Sequence, residues 1–144
     1  MWASCIRIVE PIELKTLALI ELPEGEAGFG LMVSSTLGEP GEQFLVLGSA
    51  KNMKLHPQSC TVGYISVYRF NEDGSDLELL HKTATEDLPL AFAEYEKRLI
   101  AGIGNILRVY EIGKKKLLRK CENRNFASGI TNVKVDEGRV FVTD

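Results

Sequence analysis

The chain has 144 residues, 44% hydrophobic and 26% charged, which is typical of a globular domain with a buried core rather than of a disordered or membrane-embedded chain. Its formal net charge of −3 provides no general attraction to a polyanion and argues against non-specific nucleic-acid binding as the main activity. No apolar run approaches the roughly 20 residues that a membrane-spanning helix needs, so no membrane partner is expected.

Short apolar runs follow one another along the chain, each bounded by Gly, Pro, Asn, Asp or a charge cluster. Runs of this length and punctuation predict β-strands joined by turns. The predicted strands cover residues 4–9, 15–22, 28–35, 44–49, 64–70, 77–84, 88–95, 99–103, 106–112, 117–122, 130–135 and 139–142. Residues 51–62 fit neither periodicity and are predicted to be a long loop. A helix is the alternative over residues 88–98, which contain several helix formers, but Pro89 favours a strand.

Several segments recur at a spacing of about 40 residues, the period of a four-stranded propeller blade. Three pairs match: residues 63–68 (GYISVY) with 105–110 (NILRVY), 79–82 (LLHK) with 117–120 (LLRK), and 98–101 (RLIA) with 139–142 (RVFV). Residues 71–74 (NEDG) and 112–114 (IGK) hold matching places in two copies. Both are predicted to be hairpin turns, since Gly permits the positive φ that tight turns need.

Two of the runs, residues 44–47 and 99–101, are apolar at consecutive positions rather than alternating. This pattern indicates a sheet that is covered on both faces, as a propeller blade is by its two neighbours. The sequence therefore predicts an all-β fold of WD40-like β-propeller blades, about three of them. The alternative is a β-sandwich whose two faces are unequally buried.

A propeller usually has roughly four to eight blades. A chain with about three blades is expected to be an incomplete part of a larger propeller, so residues 1–144 are predicted to be one partial domain of a longer protein. Unpaired strand edges tend to pair with other chains, so we expect this polypeptide to self-associate or aggregate when alone.

The sequence predicts no catalytic, cofactor-binding or metal site. Gly102 and Gly104 resemble the start of a dinucleotide-binding fingerprint, but the third glycine and a following helix are missing, so a turn is expected. His56 lies in the long loop. His81 lies on a strand, where its repeat match, Arg119, predicts a surface position.

The three cysteines, Cys5, Cys60 and Cys121, are far apart in sequence and odd in number. They are predicted to be small buried residues in a reducing compartment. Carboxylates in turns, such as Glu86 and Asp87, are expected to be solvated loop charges.

One basic cluster stands out, formed by Lys114, Lys115 and Lys116 with Arg119 and Lys120. It fits a contact with an acidic partner or a phosphate backbone, and the three lysines are the candidate partner-contact residues. It also fits a solvated hairpin whose lysines block unwanted strand pairing.

The chain resembles a known family over nearly its whole length. The similarity is carried by residues 2–7 (WASCIR), 80–83 (LHKT) and 99–123 (LIAGIGNILRVYEIGKKKLLRKCEN). They resemble the large propeller subunits that include the third subunit of splicing factor 3b and the large subunits of the damaged-DNA-binding protein and of the cleavage and polyadenylation specificity factor. The uninterrupted residues 113–123 fit the splicing member best, whereas residues 34–42 and 125–138 match less well.

This resemblance implies a longer chain of three propellers and a helical C-terminal part, with this segment at the start of the last propeller. It implies a non-enzymatic scaffold in the nucleus that acts in pre-mRNA splicing. Its partners would be other splicing factor 3b subunits and the spliceosomal ribonucleoprotein; direct RNA contact is left open, and no cofactor is implied. The alternatives are an adaptor in DNA repair, ubiquitin ligation or mRNA 3′-end processing and, more remotely, a propeller enzyme with a site at its central channel.

Overall fold

The computed structural model describes residues 3–144, so Trp2, which belongs to the first matching segment, lies outside the described residues. In this part of the chain all regular structure is β, in fourteen strands. The strands are β1 (Cys5–Val9), β2 (Thr16–Glu21), β3 (Glu26–Ser34), β4 (Phe44–Lys51), β5 (Lys54–Leu55), β6 (Gln58–Ser59), β7 (Val62–Phe70), β8 (Leu77–Thr85), β9 (Pro89–Tyr95), β10 (Arg98–Ile103), β11 (Ile106–Ile112), β12 (Leu117–Asn123), β13 (Asn132–Asp136) and β14 (Arg139–Thr143). Within residues 3–144 there is no helix of the length and hydropathy needed to cross a bilayer.

The strands form two four-stranded antiparallel sheets and three two-stranded ones. Strands β3, β4, β7 and β8 pair in that order and make the first blade, and β9 to β12 make the second blade. The hairpins β1–β2 and β13–β14 flank them, and the short hairpin β5–β6 is inserted within the first blade. All twelve predicted strands are present, and the predicted long loop contains the additional hairpin. The helix considered for residues 88–98 is not formed, because that segment pairs as β9 with β10.

The predicted repeats fall on equivalent strands. Residues 63–68 and 106–110 lie on the third strands of the two blades, and residue 105 directly precedes β11. Both third strands carry a register shift at the same place, after Val67 and after Val109. The matched turns also occur, since the Gly74 amide donates to the Asn71 carbonyl at 3.1 Å. Each blade is therefore the same up-and-down unit, which confirms the propeller prediction and removes the sandwich alternative.

The largest core lies between the two blades, where the face of the first blade around Val46, Ile65 and Val67 packs against Leu99 and Ile103 of the second. The opposite face of the first blade is partly covered by the β1–β2 hairpin, and that of the second by β13–β14. Because both faces are covered, all residues of β4 except the last are buried. This explains why the middle strands are apolar at consecutive positions.

Two blades can approach this closely because the first blade carries glycines where the chain leads into the second. A Cβ atom on Gly48 would lie 1.9 Å from the carbonyl oxygen of Pro89, and one on Gly63 would lie 2.0 Å from that of Asp87. No real Cβ tolerates such distances, so only glycine fits at these positions.

Strand β3, the neighbour of β4, makes a similar close contact: a Cβ on Gly30 would lie 2.6 Å from the carbonyl oxygen of Leu90. Gly30 and Gly48 are directly paired between β3 and β4. We call Gly30, Gly48 and Gly63 the glycine seat, since residues 87–90 rest on them. The seat sets the distance between the two blades.

We expect Gly48→Ala to lower the free energy of unfolding by about 3 kcal/mol, the upper part of the range for overpacking a core, because the clashing atom belongs to the backbone. Gly129→Ala is the matched control, since a Cβ there meets no atom within 4 Å. Chemical denaturation of both variants makes the measurement. Equal stabilities of the two variants would show that residues 87–90 do not rest on the seat.

Candidate partner-binding surface

The three candidate lysines lie together in an exposed turn. Lys114, Lys115 and Lys116 join β11 to β12, and the Gly113 amide donates to the Lys116 carbonyl at 3.1 Å. Within the described chain none of the three side chains forms an ion pair, so their charges remain available to a partner. We call residues 114–116 the lysine turn.

The structure separates the lysine turn from the other two members of the predicted basic cluster. Arg119 lies 3.1 Å from a carboxylate oxygen of Glu86, and Lys120 lies 2.9 Å from one of Glu111. Arg119 is thus compensated by the segment that leads into the second blade, and Lys120 by a residue of β11. The net positive charge of the cluster is therefore concentrated in the turn itself.

A crevice of about 430 Å³ opens next to the lysine turn, between the two blades. Its walls come from the β3–β4 loop, strand β8, the β9–β10 turn and the lysine turn. We call it the inter-blade crevice. Its apolar lining consists of Leu37, Phe44, Leu80 and Ile112.

The charges around the crevice are not equally available. Glu42 accepts a hydrogen bond from the Glu39 amide at 3.0 Å and lies 3.4 Å from the guanidinium of Arg69. Lys97 and Lys114 also line the crevice, and neither forms an ion pair among residues 3–144. Glu39 also lines the crevice and forms no ion pair among residues 3–144, so one free carboxylate faces two free ammonium groups and the net uncompensated charge is positive.

The surface position predicted for His81 is wrong. His81 is 6% exposed and lies in the wall of the crevice. The repeat match was two residues out of register: His81 pairs with Val67, and the residue that pairs with the equivalent Val109 is Cys121, not Arg119. The second blade covers the face of β8 that carries His81.

Neither ring nitrogen of His81 has a hydrogen-bond partner within the described residues, although both are shielded from solvent. Burial lowers the pKa of His81, and the nearby Gly113 backbone opposes that shift. Buried polar atoms without partners are rare in native proteins and destabilise the fold. His81 is therefore a buried side chain at the crevice whose ring lies near the Gly113 backbone but makes no well-formed hydrogen bond within the described residues.

The most deeply buried charge, Arg108, was not identified from the sequence. Its guanidinium, 1% exposed, lies 2.9 Å from Glu86 and 2.6 Å from Glu122, and it donates to the Tyr110 hydroxyl at 3.1 Å. The sequence did contain a signal for its burial: Arg108 lies midway between Ile106 and Tyr110, which belong to the core. Glu86 is thus not the simply solvated loop charge that was expected.

The carboxylates of this cluster are held in their charged form. Hydrogen bonds from Arg108 and Arg124 lower the pKa of Glu122. Burial raises the pKa of Glu86. The hydrogen bonds and charge of Arg108, with smaller contributions from the Glu86 backbone and Arg119, lower it by more, so the pKa lies below the ordinary value of 4.5. Burial disfavours the charged guanidinium, yet its hydrogen bonds to Tyr110, Glu122 and Glu86 raise the pKa of Arg108 overall. The cluster ties the second blade to the segment that enters it.

The remaining candidates do not converge on a reactive centre. Gly104 lies, as expected, in a tight turn, the one between β10 and β11, with a φ of 54°. Its amide donates to the Leu88 carbonyl at 3.1 Å, and its carbonyl accepts from the Ile130 amide at 2.7 Å. The three cysteines are free, but Cys5 and Cys121 are exposed, so the prediction that they are buried is wrong. Among residues 3–144 no group of His, Cys, Asp and Glu could hold a metal ion.

Repeated four-stranded antiparallel blades, packed face to face through a glycine contact, define a β-propeller protein. Residues 3–144 match the family described as the CPSF A subunit region, and the chain belongs to this family.

Curated relatives are similar over almost the whole chain. Pre-mRNA-splicing factor RSE1 of Mycosarcoma maydis is 43% identical over 143 residues, which is 99% of this chain. Splicing factor 3B subunit 3 of Danio rerio and spliceosome-associated protein 130 A of Arabidopsis thaliana are each 42% identical over 99% of the chain. The chain spans 12% of the length of each of these relatives.

We expect His81→Leu to retain or raise the free energy of unfolding, by up to about 1 kcal/mol, because it removes two buried polar atoms that have no partners. Thermal unfolding at neutral pH measures this. A marked loss of stability would show that the ring makes a hydrogen bond in solution.

We expect the free energy of unfolding to fall as the pH drops below about 4.5. A carboxyl group whose pKa is lower in the folded chain stabilises the fold above its unfolded pKa, and this contribution is lost as the pH falls through the folded pKa. Glu122→Gln should flatten this acid limb, and Glu24→Gln, in an exposed turn, is the control. Identical acid limbs for Glu122→Gln and the unmodified chain would contradict the assignment.

Proposed function

We propose that this chain is part of a non-enzymatic interaction scaffold of the splicing factor 3b complex, acting in pre-mRNA splicing in the nucleus. The observation that carries the proposal is the 42–43% identity, over 99% of the chain, to proteins named as splicing factors. The same names support a scaffold rather than a propeller enzyme.

We further propose that residues 1–144 form one part of a larger propeller. The β1–β2 hairpin covers the middle strands of the first blade, at Leu45, Leu47 and Tyr68. On the inner strand β3, Leu31 and Val33 remain 60% and 50% exposed. Two further strands placed inside β1–β2 would complete a four-stranded blade and cover these residues.

A scaffold of this kind has to hold partners at fixed positions. The turns β9–β10 and β11–β12 lie at one edge of the second blade, and the β3–β4 loop and β7–β8 turn lie at the same edge of the first. Rigid contact between the blades therefore fixes the relative positions of these turns. The lysine turn is the proposed partner contact at this edge, because its three charges form no ion pair among residues 3–144.

Charge reversal tests this contact. We expect Lys114→Glu, Lys115→Glu and Lys116→Glu together to reduce co-purification with other splicing factor 3b subunits without lowering Tm, since the side chains are exposed. The matched control reverses Lys15, Lys54 and Lys134, which are also exposed lysines.

The outcomes separate the candidate functions. If the triple variant still co-purifies with splicing factor 3b subunits, the lysines belong to a solvated hairpin and do not contact those partners. Recovery of the unmodified chain with a cullin ubiquitin ligase, or with the polyadenylation machinery, would assign it to an adaptor of the damaged-DNA-binding or polyadenylation type. The family description, which names the CPSF A subunit region, makes the latter a specific alternative.

A further inference from the structure

The inter-blade crevice combines an apolar lining with a buried side chain that lacks partners. Leu37, Phe44 and Leu80 line it, and His81 is 94% buried in its wall, with both ring nitrogens unpaired. Neutral imidazole offers one N–H donor and one acceptor nitrogen. Because neither nitrogen is exposed in the unbound chain, a bound segment with a carboxylate or carbonyl oxygen and a backbone N–H would satisfy both once the ring turns to face the crevice.

Lys97 brings a positive charge to the crevice, and its backbone adopts an unfavourable conformation there. Glu96 and Lys97, in the two-residue turn between β9 and β10, have φ values of 47° and 63°. Side chains with a Cβ are disfavoured in this left-handed region, and glycine is the usual residue in such turns. The equivalent turn between β13 and β14 does have glycine, Gly138, at the second position.

Lys97 therefore places an ammonium group at the crevice where glycine would be conformationally easier. Strained residues of this kind cluster at ligand-binding positions. Lys114, from the lysine turn, lines the same crevice. Neither ammonium group forms an ion pair among residues 3–144, whereas Glu42 is engaged by Arg69 and Glu39 is the one unpaired carboxylate of the lining.

We propose that the inter-blade crevice binds an acidic segment of a partner protein, with an apolar side chain on the crevice lining and carboxylates beside Lys97 and Lys114. The inference rests on the proposed function, because Lys114 belongs to the lysine turn. His81 supplies hydrogen bonds that are made only when the segment is bound. A peptide fits better than RNA, because the lining is apolar and aliphatic at Leu37, Leu80 and Ile112.

Binding of a fluorescent peptide of alternating aspartate and leucine to the 144-residue chain tests the proposal, with an alternating lysine–leucine peptide and single-stranded oligouridine as comparison probes. We expect Lys97→Gly and His81→Leu each to weaken binding of the acidic peptide by about tenfold, the effect of losing one charge-assisted hydrogen bond. We expect neither variant to lower Tm. Stability that is kept or gained while binding is lost separates a binding role from a structural one.

Leu14→Gly is the control for Lys97→Gly, since Leu14 has a φ of 56° in an exposed turn away from the crevice. It should leave peptide binding unchanged. Failure of the unmodified chain to bind the acidic peptide, preference for oligouridine or the basic peptide, or unchanged binding by both variants would overturn the proposal.

Co-purification of the unmodified chain is run in parallel. Recovery of splicing factor 3b subunits without peptide binding overturns the crevice proposal alone, whereas loss of those subunits overturns the proposed function.

Discussion

The close contact between the glycine seat and residues 87–90 is the constraint on which the rest of the structure depends. Because Gly48 has no side chain, the Pro89 carbonyl occupies the space of a Cβ atom. A related contact recurs one blade later, where a Cβ on Gly102 would lie 2.6 Å from the Ile130 side chain. The spacing of successive blades is thus set by the absence of side chains at a few positions on the inner and middle strands.

Polar contacts then fix how the blades face each other. The Ser34 hydroxyl donates to the carboxylate of Glu94 between the inner strands, and Glu86, next to the seat, pairs with Arg108 in the second blade. Between the outer strands the Leu117 amide donates to the Thr83 hydroxyl at 3.0 Å. Charged and hydrogen-bonding groups that are buried need defined partners, so these contacts select one arrangement of the two sheets. The inter-blade crevice and the lysine turn take their geometry from that arrangement.

The strands could be predicted because each one is short, apolar and closed by a turn residue. The β-bulges, where the register of a strand pair shifts, could not be predicted, and they explain why the surface position predicted for His81 is wrong. In each blade the third strand shifts register after Val67 or Val109. Residues of the two fourth strands that match in sequence therefore do not occupy equivalent positions in the two blades. Burial also depends on the neighbouring blade: His81 faces the second blade and is buried, whereas the equivalent Cys121 is exposed.

The lysine turn was predictable as a cluster, but the separation of its charges was not. Arg119 and Lys120 look like further free cations in the sequence, and only the pairing of β11 with β12 brings Glu111 to Lys120. Lys97 was missed for a different reason, since its significance lies in a backbone angle. A two-residue hairpin turn without glycine was the available signal.

The most direct measurement of the blade contact is a nuclear Overhauser effect between the Hα protons of Gly48 and the ring protons of Phe92 in the isotopically labelled chain. The structure predicts this effect, because a Cβ on Gly48 would lie 3.0 Å from the Cζ atom of the Phe92 ring, in the same place where it would meet the Pro89 carbonyl. Absence of the effect in a chain whose β4–β7 amides remain protected from exchange would contradict the glycine-seated packing of the two blades.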